Sequence, residues 1–218
     1  MKFVKLFLLS LFFSPWSSQA QLDGIEYDWK EKRNKDGIAI YTSRVEGSPF
    51  KAVRGEMIVK GSVASLFALV EDMSACSEWA AMCKESRVEK RVSDTESYVY
   101  ILNDIPFPVR DRDVYTHVVW TRDAETKRVS MTSIASEGGP EKTKAVRIVK
   151  AVSQWHFTPN DDGTTTVGNY GHIDPNGPTP AWLSNLMLVN APFKSMQKMR
   201  EVIEAGEYKD AVSPFDSQ

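Results

Sequence analysis

Residues 174–180 read DPNGPTP and separate a β-rich region from a long helical pattern near the end of the chain. Thr179 suits the N-cap of a helix, and Pro180 suits its first position. Apolar side chains then recur on one wide face as far as Ala205, which predicts a helix about 39 Å long at 1.5 Å per residue. Pro192 is expected to bend this helix. A helix of this length needs a sheet face that covers its apolar side.

The region before residue 174 contains short β-like runs separated by turn residues. Strands at 38–43 and 50–60 are expected to form a hairpin around the turn at 46–49. Because short turns also join the later strands, we expect an antiparallel sheet. No repeat or linker-like composition divides residues 21–218, which predicts a single domain. The later strands are predicted at about 84–92, 96–103, 112–121, 127–135, 144–157 and 164–173.

Three short helices are predicted in addition to the C-terminal one. Residues 23–34 mix apolar and charged residues as an amphipathic helix does, and a turn at 36–37 follows them. Ser62 is a favourable N-cap for a helix over 63–72, where apolar residues have helical spacing. A further short helical piece is expected to carry Trp79.

Several strands are apolar on both faces, and this pattern suggests a hollow interior. In the strand 96–103, Tyr98 and Tyr100 face one way, while Val99 and Ile101 face the other. One set can pack outside while the other lines an interior. The sequence leaves open which set does which, because a shift of one residue exchanges them.

The N-terminus has the pattern of a secretory signal peptide over residues 1–20. Lys2 and Lys5 precede an apolar run at 6–13, and the small-residue exit ends at Ala20. An uncleaved anchor is the weaker alternative, because the run is shorter than the roughly 20 apolar residues that span a bilayer. The mature chain is therefore predicted to be periplasmic or secreted, as a monomer.

Composition argues against a nucleic-acid-binding protein, and the predicted compartment indicates the state of the two cysteines. With a formal net charge of −2, the chain has no basic surplus for nucleic acid. In an oxidising compartment, Cys76 and Cys83 are predicted to form a disulfide. A continuous helix would hold their Cα atoms about 10.5 Å apart, beyond disulfide reach, so the helix must break between them. No metal or cofactor is expected.

A set of motifs occurs in order along the chain. The motifs are Trp79, IPFPVRDRD at 105–113, Trp155-x-Phe157-x-Pro159, Pro180-x-Trp182-Leu183 and Ala191-Pro192. Together they resemble a START (StAR-related lipid transfer) domain over about residues 23–205. The resemblance implies an α+β helix-grip fold, in which a curved antiparallel sheet surrounds a long C-terminal helix and encloses a hydrophobic tunnel for one lipid-like molecule.

The chain departs from the cholesterol-carrying members of this family at one point. Those members place a buried acid and a buried arginine on the two strands that flank the Pro-Phe-Pro loop. The nearest positions here, 100–102 and 117–119, hold no such pair. Sterol binding through the same polar contacts is therefore not implied.

The densest charge cluster, Arg110-Asp111-Arg112-Asp113, allows two interpretations. Alternation in a strand puts both aspartates on one face and both arginines on the other. We favour a salt-bridged strand entrance over a metal site, because a two-carboxylate site lacks further ligands nearby and the arginines compete. Arg112 has a second possible role as a cation near the tunnel that meets a lipid phosphate.

The remaining polar candidates favour binding over catalysis. His117, His156 and His172 each stand without a recognisable catalytic motif, so a structural role is favoured over a general base. Asn190 is predicted on the inward face of the last helix, where its amide needs a partner. Phe107 is predicted on a loop at the tunnel mouth, where it touches a membrane, gates entry or plugs the end.

The resulting prediction is a non-enzymatic protein that binds, and transfers, one lipid or other hydrophobic ligand, with transient membrane contact. The alternative is a cyclase- or aromatase-like enzyme that acts on a hydrophobic substrate in the same cavity, with His117 or Tyr98 as acid or base. The predicted ligand-binding residues are Tyr98, Tyr100, Phe107, Arg112, His117, Met131, Trp155, Asn169, Leu183, Met187, Asn190 and Met196.

Overall fold

Ten strands are the main elements of the computed structural model, which describes residues 27–141, 144–177, 180, 183 and 186–216. The strands are β1 (Lys30–Lys35), β2 (Ile38–Arg44), β3 (Lys51–Val59), β4 (Cys83–Ser93), β5 (Glu96–Asn103), β6 (Arg112–Arg122), β7 (Val129–Ala135), β8 (Val146–Ile148), β9 (Lys150–Pro159) and β10 (Thr165–Asp174). The predicted signal peptide lies outside the described residues.

The strands form one curved sheet in the order β1-β2-β3-β10-β9-β7-β6-β5-β4. Neighbours along this path pair antiparallel, as predicted. The short strand β8 lies off the path and pairs in parallel with the start of β6, where Arg112 is opposite Val146. The single strand predicted at 144–157 is therefore two strands, separated at the exposed Val149.

Two predicted helices carry the chain from β3 to β4, the strand at the far edge of the sheet. Helix α1 (Val63–Glu71) begins after Ser62, whose hydroxyl accepts a hydrogen bond from the Ser65 N–H at 3.0 Å. A 3₁₀ turn follows, and then helix α2 (Cys76–Trp79). No helix among the described residues is long and apolar enough to cross a bilayer.

The disulfide between Cys76 and Cys83 is present, with Cα atoms 5.9 Å apart. Helix α2 ends at Trp79, and the chain reverses through Met82, which has a φ of +76°. The required break therefore occurs without glycine or proline. The bridge fastens α2 to the first residue of β4.

The helix predicted over 23–34 is wrong for its described part. Residues 30–35 form β1, an edge strand that pairs with β2, and residues 23–26 lie outside the described residues. Trp29, the main apolar residue of the expected helical face, instead stacks on Tyr27 with ring centroids 5.0 Å apart and meets the edge of Tyr170 on the sheet. Backbone pairing and aromatic packing thus override a weak helical pattern.

The C-terminal helix is shorter than predicted as an α-helix. A π-helical segment (Leu186–Asn190) leads into helix α3 (Ala191–Ala205), and Gly206 ends α3 with a left-handed φ of 84°. Pro192 is the second residue of α3 and directly follows the π-helical segment, so the irregular turn of the helix lies next to this proline. The bend expected at Pro192 stays a prediction. Of the predicted segment 180–185, only residues 180 and 183 are described.

Helix α3 packs closely on β2 and β3. Phe193, Met196 and Ile203 are buried on its sheet-facing side. A Cβ atom at Gly55 in β3 would lie 2.5 Å from the Met196 sulfur, so the lack of a side chain at this position makes room for Met196 in its present orientation.

Candidate ligand-binding cavity

Alternate residues of β5 and β6 settle which face of the sheet lines the interior. Val99 and Ile101 of β5 face a cavity together with Val114, Thr116 and Val118 of β6. The other set, which includes the tyrosines of β5, lies on the opposite face of the sheet. The interior lining is therefore mainly aliphatic.

The cavity lies between the sheet and the helices and has two adjoining compartments, of about 290 and 280 Å³. Together they fall within the range of roughly 300–1,000 Å³ that is typical of small-molecule sites. The first compartment is bordered by Arg112, Ile105 and Met187, and the second by Trp79 and Met131. The wall that both share includes Asn103, Ile148, Ser153, Trp155, Asn169 and Ser195.

The helical wall of the cavity is held together by Ser195 of α3. Its hydroxyl donates to the Ala191 carbonyl at 3.0 Å and accepts from the Ala81 N–H at 2.9 Å. This pair of bonds joins α3 to the segment that follows α2. Met187 and Leu188 of the π-helical segment continue the wall along the first compartment.

Arg112 provides a buried positive charge in the first compartment. Its side chain is 5% exposed, its Nε donates to the Pro175 carbonyl at 3.2 Å, and its Nη1 donates to the Arg110 carbonyl at 2.6 Å. Burial, and to a lesser degree the charge of Arg110, lower the pKa of the Arg112 guanidinium. Among the described residues, no carboxylate forms an ion pair with it.

The two aspartates beside Arg112 are engaged by other groups. Asp113 accepts hydrogen bonds from Arg147 at 2.9 and 3.0 Å. Asp111 accepts from the Ile105 N–H at 3.1 Å and from the Lys84 ammonium at 3.2 Å, and the Ile105 bond is the main cause of its lowered pKa. The cluster is thus the salt-bridged strand entrance that the sequence favoured.

The second compartment contains two polar groups without a partner. The indole N–H of Trp79 and the hydroxyl of Thr116 are both buried, and neither has a hydrogen-bond partner in the described part of the chain. A buried donor costs free energy while it stays unpaired. These two groups therefore suit a ligand, or a water, that carries a hydrogen-bonding atom.

Five of the twelve predicted ligand contacts line the cavity. Arg112 and Met187 border the first compartment, Met131 borders the second, and Trp155 and Asn169 belong to the shared wall. Asn169 donates its amide N–H to the Gln154 carbonyl at 3.2 Å, which fixes its orientation in the wall.

Three predicted contacts lie on the outer face of the sheet instead. Tyr98 stacks on His117 with ring centroids 4.8 Å apart, and His117 lies 2.8 Å from the Glu96 carboxylate. Tyr100 donates its hydroxyl to Asp113 at 3.2 Å. The prediction that these side chains line the interior is wrong, because cross-strand pairing puts the other parity inward.

The other four predicted contacts are also outside the cavity lining. Leu183 and Met196 are fully buried in packing. The inward orientation predicted for Asn190 is wrong, because its side chain is exposed and its amide oxygen accepts a hydrogen bond from Arg33 at 3.3 Å. Phe107 is 94% exposed on the β5–β6 loop.

The prediction missed several cavity residues, notably Trp79 as a cavity donor, Thr116, Asn103 and Ser153. One signal was available in β6, where Thr116 lies between Val114 and Val118 in the inward set. Asn103 likewise ends the inward set of β5. No feature of the sequence indicates that the Trp79 indole and the Thr116 hydroxyl lack hydrogen-bond partners among the described residues.

The curved antiparallel sheet, the C-terminal helix against it and the cavity between them define a helix-grip protein with an interior ligand site. The chain belongs to the START domain family, whose model matches residues 18–206. Family and cavity together indicate a lipid or another hydrophobic molecule as the ligand.

Similar proteins come from bacteria and from human. An uncharacterized protein of Pseudomonas aeruginosa is 32% identical over 177 residues, which are 81% of this chain and 87% of that protein. A STAR-related lipid transfer protein fragment from Xanthomonas axonopodis is 30% identical with a TM-score of 0.73, covering 81% of this chain and 98% of that one. Human StAR-related lipid transfer protein 5, at 17% identity and a TM-score of 0.74 over 82% and 88% of the two chains, shares the fold.

Proposed function

We propose that the protein binds one lipid-like molecule in the two-compartment cavity and carries it between membranes without changing it chemically. The observation that carries this proposal is the aliphatic cavity enclosed between the sheet and the helices. Removal of an acyl chain from water contributes about 0.8 kcal/mol per CH₂, so the lining alone can supply most of the affinity.

The positions of the predicted catalysts favour a carrier over a cyclase-like enzyme. Tyr98 and His117 lie on the outer face of the sheet, away from the cavity. The described cavity-lining residues include no histidine or tyrosine, and their two cysteines are bonded to each other. Their two carboxylates, Glu71 and Asp72, already accept hydrogen bonds from other side chains of the protein. General acid or base catalysis needs such a group within hydrogen-bond reach of the substrate.

The β5–β6 loop supports contact with a membrane. Phe107 is almost fully exposed at its tip, while Ile105, two residues away, borders the first compartment. An exposed aromatic ring suits the interface of a bilayer. The loop thus connects a membrane-facing side chain directly to the cavity wall. The disulfide also favours an oxidising compartment, the periplasm or the exterior.

The test is transfer of two pyrene-labelled probes, a fatty acid and a monoacylglycerol, between phosphatidylcholine vesicles. Replacement of Ser153 by Trp fills the wall shared by both compartments and is expected to reduce transfer about tenfold or more. The matched control is Gln154→Trp on the opposite face of the same strand, which should transfer like the wild type.

Two results would contradict the proposal. If wild-type protein accelerates transfer of neither probe, the carrier function is wrong. If Ser153→Trp folds and transfers both probes at the wild-type rate, the ligand does not occupy this cavity. Co-purification of a bound lipid, measured by native mass spectrometry, provides an independent check of occupancy.

A further inference from the structure

The two compartments differ in the sign of the charges that line them. The described residues that line the first compartment include two cations, Arg112 and Lys51, and no carboxylate. Those that line the second include two carboxylates, Glu71 and Asp72, and no cation. The cavity is therefore polarised along its length.

The carboxylates of the second compartment are already engaged. Glu71 accepts hydrogen bonds from Arg91 at 2.7 Å and from the Trp120 indole at 2.7 Å. Asp72 accepts from the Ser74 backbone N–H at 2.9 Å and from the Tyr208 hydroxyl at 2.9 Å. The carboxylates at this end of the cavity therefore need no charged group from a ligand.

Arg112, in contrast, has guanidinium N–H groups that donate no hydrogen bond to the described residues. A guanidinium carries five N–H donors in a planar fork, and hydrogen bonds to the described residues use two of those on Arg112, both toward backbone carbonyls. The nearest aspartates in sequence are held by Lys84 and Arg147. A buried cation that meets only carbonyl dipoles is incompletely compensated.

We infer that the ligand has an anionic oxyacid headgroup, a carboxylate or a phosphate, that Arg112 binds in the first compartment while the apolar chain extends into the second. This inference rests on the proposed function and specifies its ligand class. The forked donors of arginine match the oxygens of either group. Asn103 and Asn169 border the same space and offer amide groups to the remaining oxygens.

Burial and the charge of Arg110 both oppose the charged form of Arg112 and lower its pKa. A bound anion would offset both effects, so ligand binding and the charge of Arg112 should support each other.

The first test compares ligands on the unaltered protein. Oleate and oleyl alcohol share a chain but differ in headgroup charge, as do 1-oleoyl-lysophosphatidate and monooleoylglycerol. Displacement of a bound fluorescent probe should give an affinity about tenfold or more higher for each bound anion than for its neutral partner. A preference confined to the first pair identifies a carboxylate, and one confined to the second identifies a phosphate.

The second test assigns the preference to Arg112. Arg112→Gln should reduce the ratio of anionic to neutral affinity toward one, while Arg110→Gln, which removes an exposed neighbouring arginine, should keep it. Arg112→Lys retains the charge without the fork and should give an intermediate ratio. If Arg112→Gln does not fold, the ligand comparison on the wild type still decides.

The outcomes separate this inference from the proposed function. Equal affinity for the charged and neutral members of both pairs would overturn the anionic headgroup while leaving a hydrophobic carrier intact. Failure to bind any of the four probes would count against both. If Arg112→Gln still binds the anionic ligands more tightly than the neutral ones, a group other than Arg112 recognises the headgroup charge.

Discussion

The side chains on the inner and outer faces of β5 and β6 differ in how fully other parts of the protein cover them. On the outer face, Tyr98 stacks between Tyr115 and His117, at centroid distances of 5.6 and 4.8 Å. Arg87 lies over the Tyr100 ring at 4.2 Å. The inner face presents aliphatic side chains to a space that the described residues leave unfilled.

The polar atoms of the two faces show the same contrast. On the outer face, the Tyr100 hydroxyl and the His117 ring both have carboxylate partners. On the inner side, Thr116 and the Trp79 indole have none in the described part of the chain. The outer face satisfies these groups within the protein, whereas the inner face leaves two polar groups beside the cavity without a partner in the described part of the chain.

The largest expected effect on stability comes from comparing two variants, each of which places one aspartate on one face of β6. Val118 faces inward and is buried beside a cavity that already holds two carboxylates, while its neighbour Val119 faces outward. Val118→Asp should reduce the free energy of unfolding by about 3 kcal/mol or more, because the charge loses its hydration. Val119→Asp should cost less than about 1 kcal/mol. Urea denaturation of both variants measures the difference, and equal losses would contradict the assignment of faces.

Lowering the pH is expected to have an intermediate effect on the free energy of unfolding. The group responsible is His156, which does not line the cavity. Burial, and to a lesser degree Arg128, lower the pKa of His156 from 6.5 to about 4, so the folded state favours the neutral ring. The resulting stability is complete above pH 6.5 and is lost as the pH falls toward 4. The loss should be about 2–3 kcal/mol, allowing for partial exposure.

Urea denaturation between pH 7.5 and 4 measures this loss. His156→Gln should remove most of the pH dependence in that window, whereas His172→Gln on the neighbouring strand should retain it. A His156→Gln variant with the full wild-type decline would show that other groups cause the acid sensitivity.

The smallest expected effect is also the most specific to the inner face. Thr116→Val keeps the shape of the side chain but removes a buried hydroxyl that has no hydrogen-bond partner among the described residues. The ligand-free variant should be more stable than the wild type by about 1 kcal/mol. Binding of a ligand with a polar atom in the second compartment should weaken at the same time. A variant that is less stable when empty would mean that the hydroxyl already has a partner.

Much of the fold follows from the sequence because turns and periodicities are local signals. The hairpin of β2 and β3 and the cap at Ser62 were predictable from a few neighbouring residues. The edge strand β1 was not, because its charged residues carry little pattern and its pairing with β2 is a tertiary contact.

The cavity was predictable in kind but only partly in detail. Arg112 was singled out because it lies in a charged cluster where a strand begins, but the register that turns it toward the cavity is set by pairing with β5 and is not a local signal. Tyr98 and His117 were misplaced because both faces of their strands are apolar, so that only cross-strand register distinguishes them. The unpaired state of Trp79 depends on the positions of many other residues, which no local motif records.

The bridge between Cys76 and Cys83 acts on the wall of the cavity as well as on the stability of the fold. Both cysteines line the second compartment, and their bond joins helix α2 covalently to the edge strand β4, so these two elements cannot separate to let a ligand pass. A reducing environment would remove this covalent link, and the same pair of elements would then be held by non-covalent contacts alone.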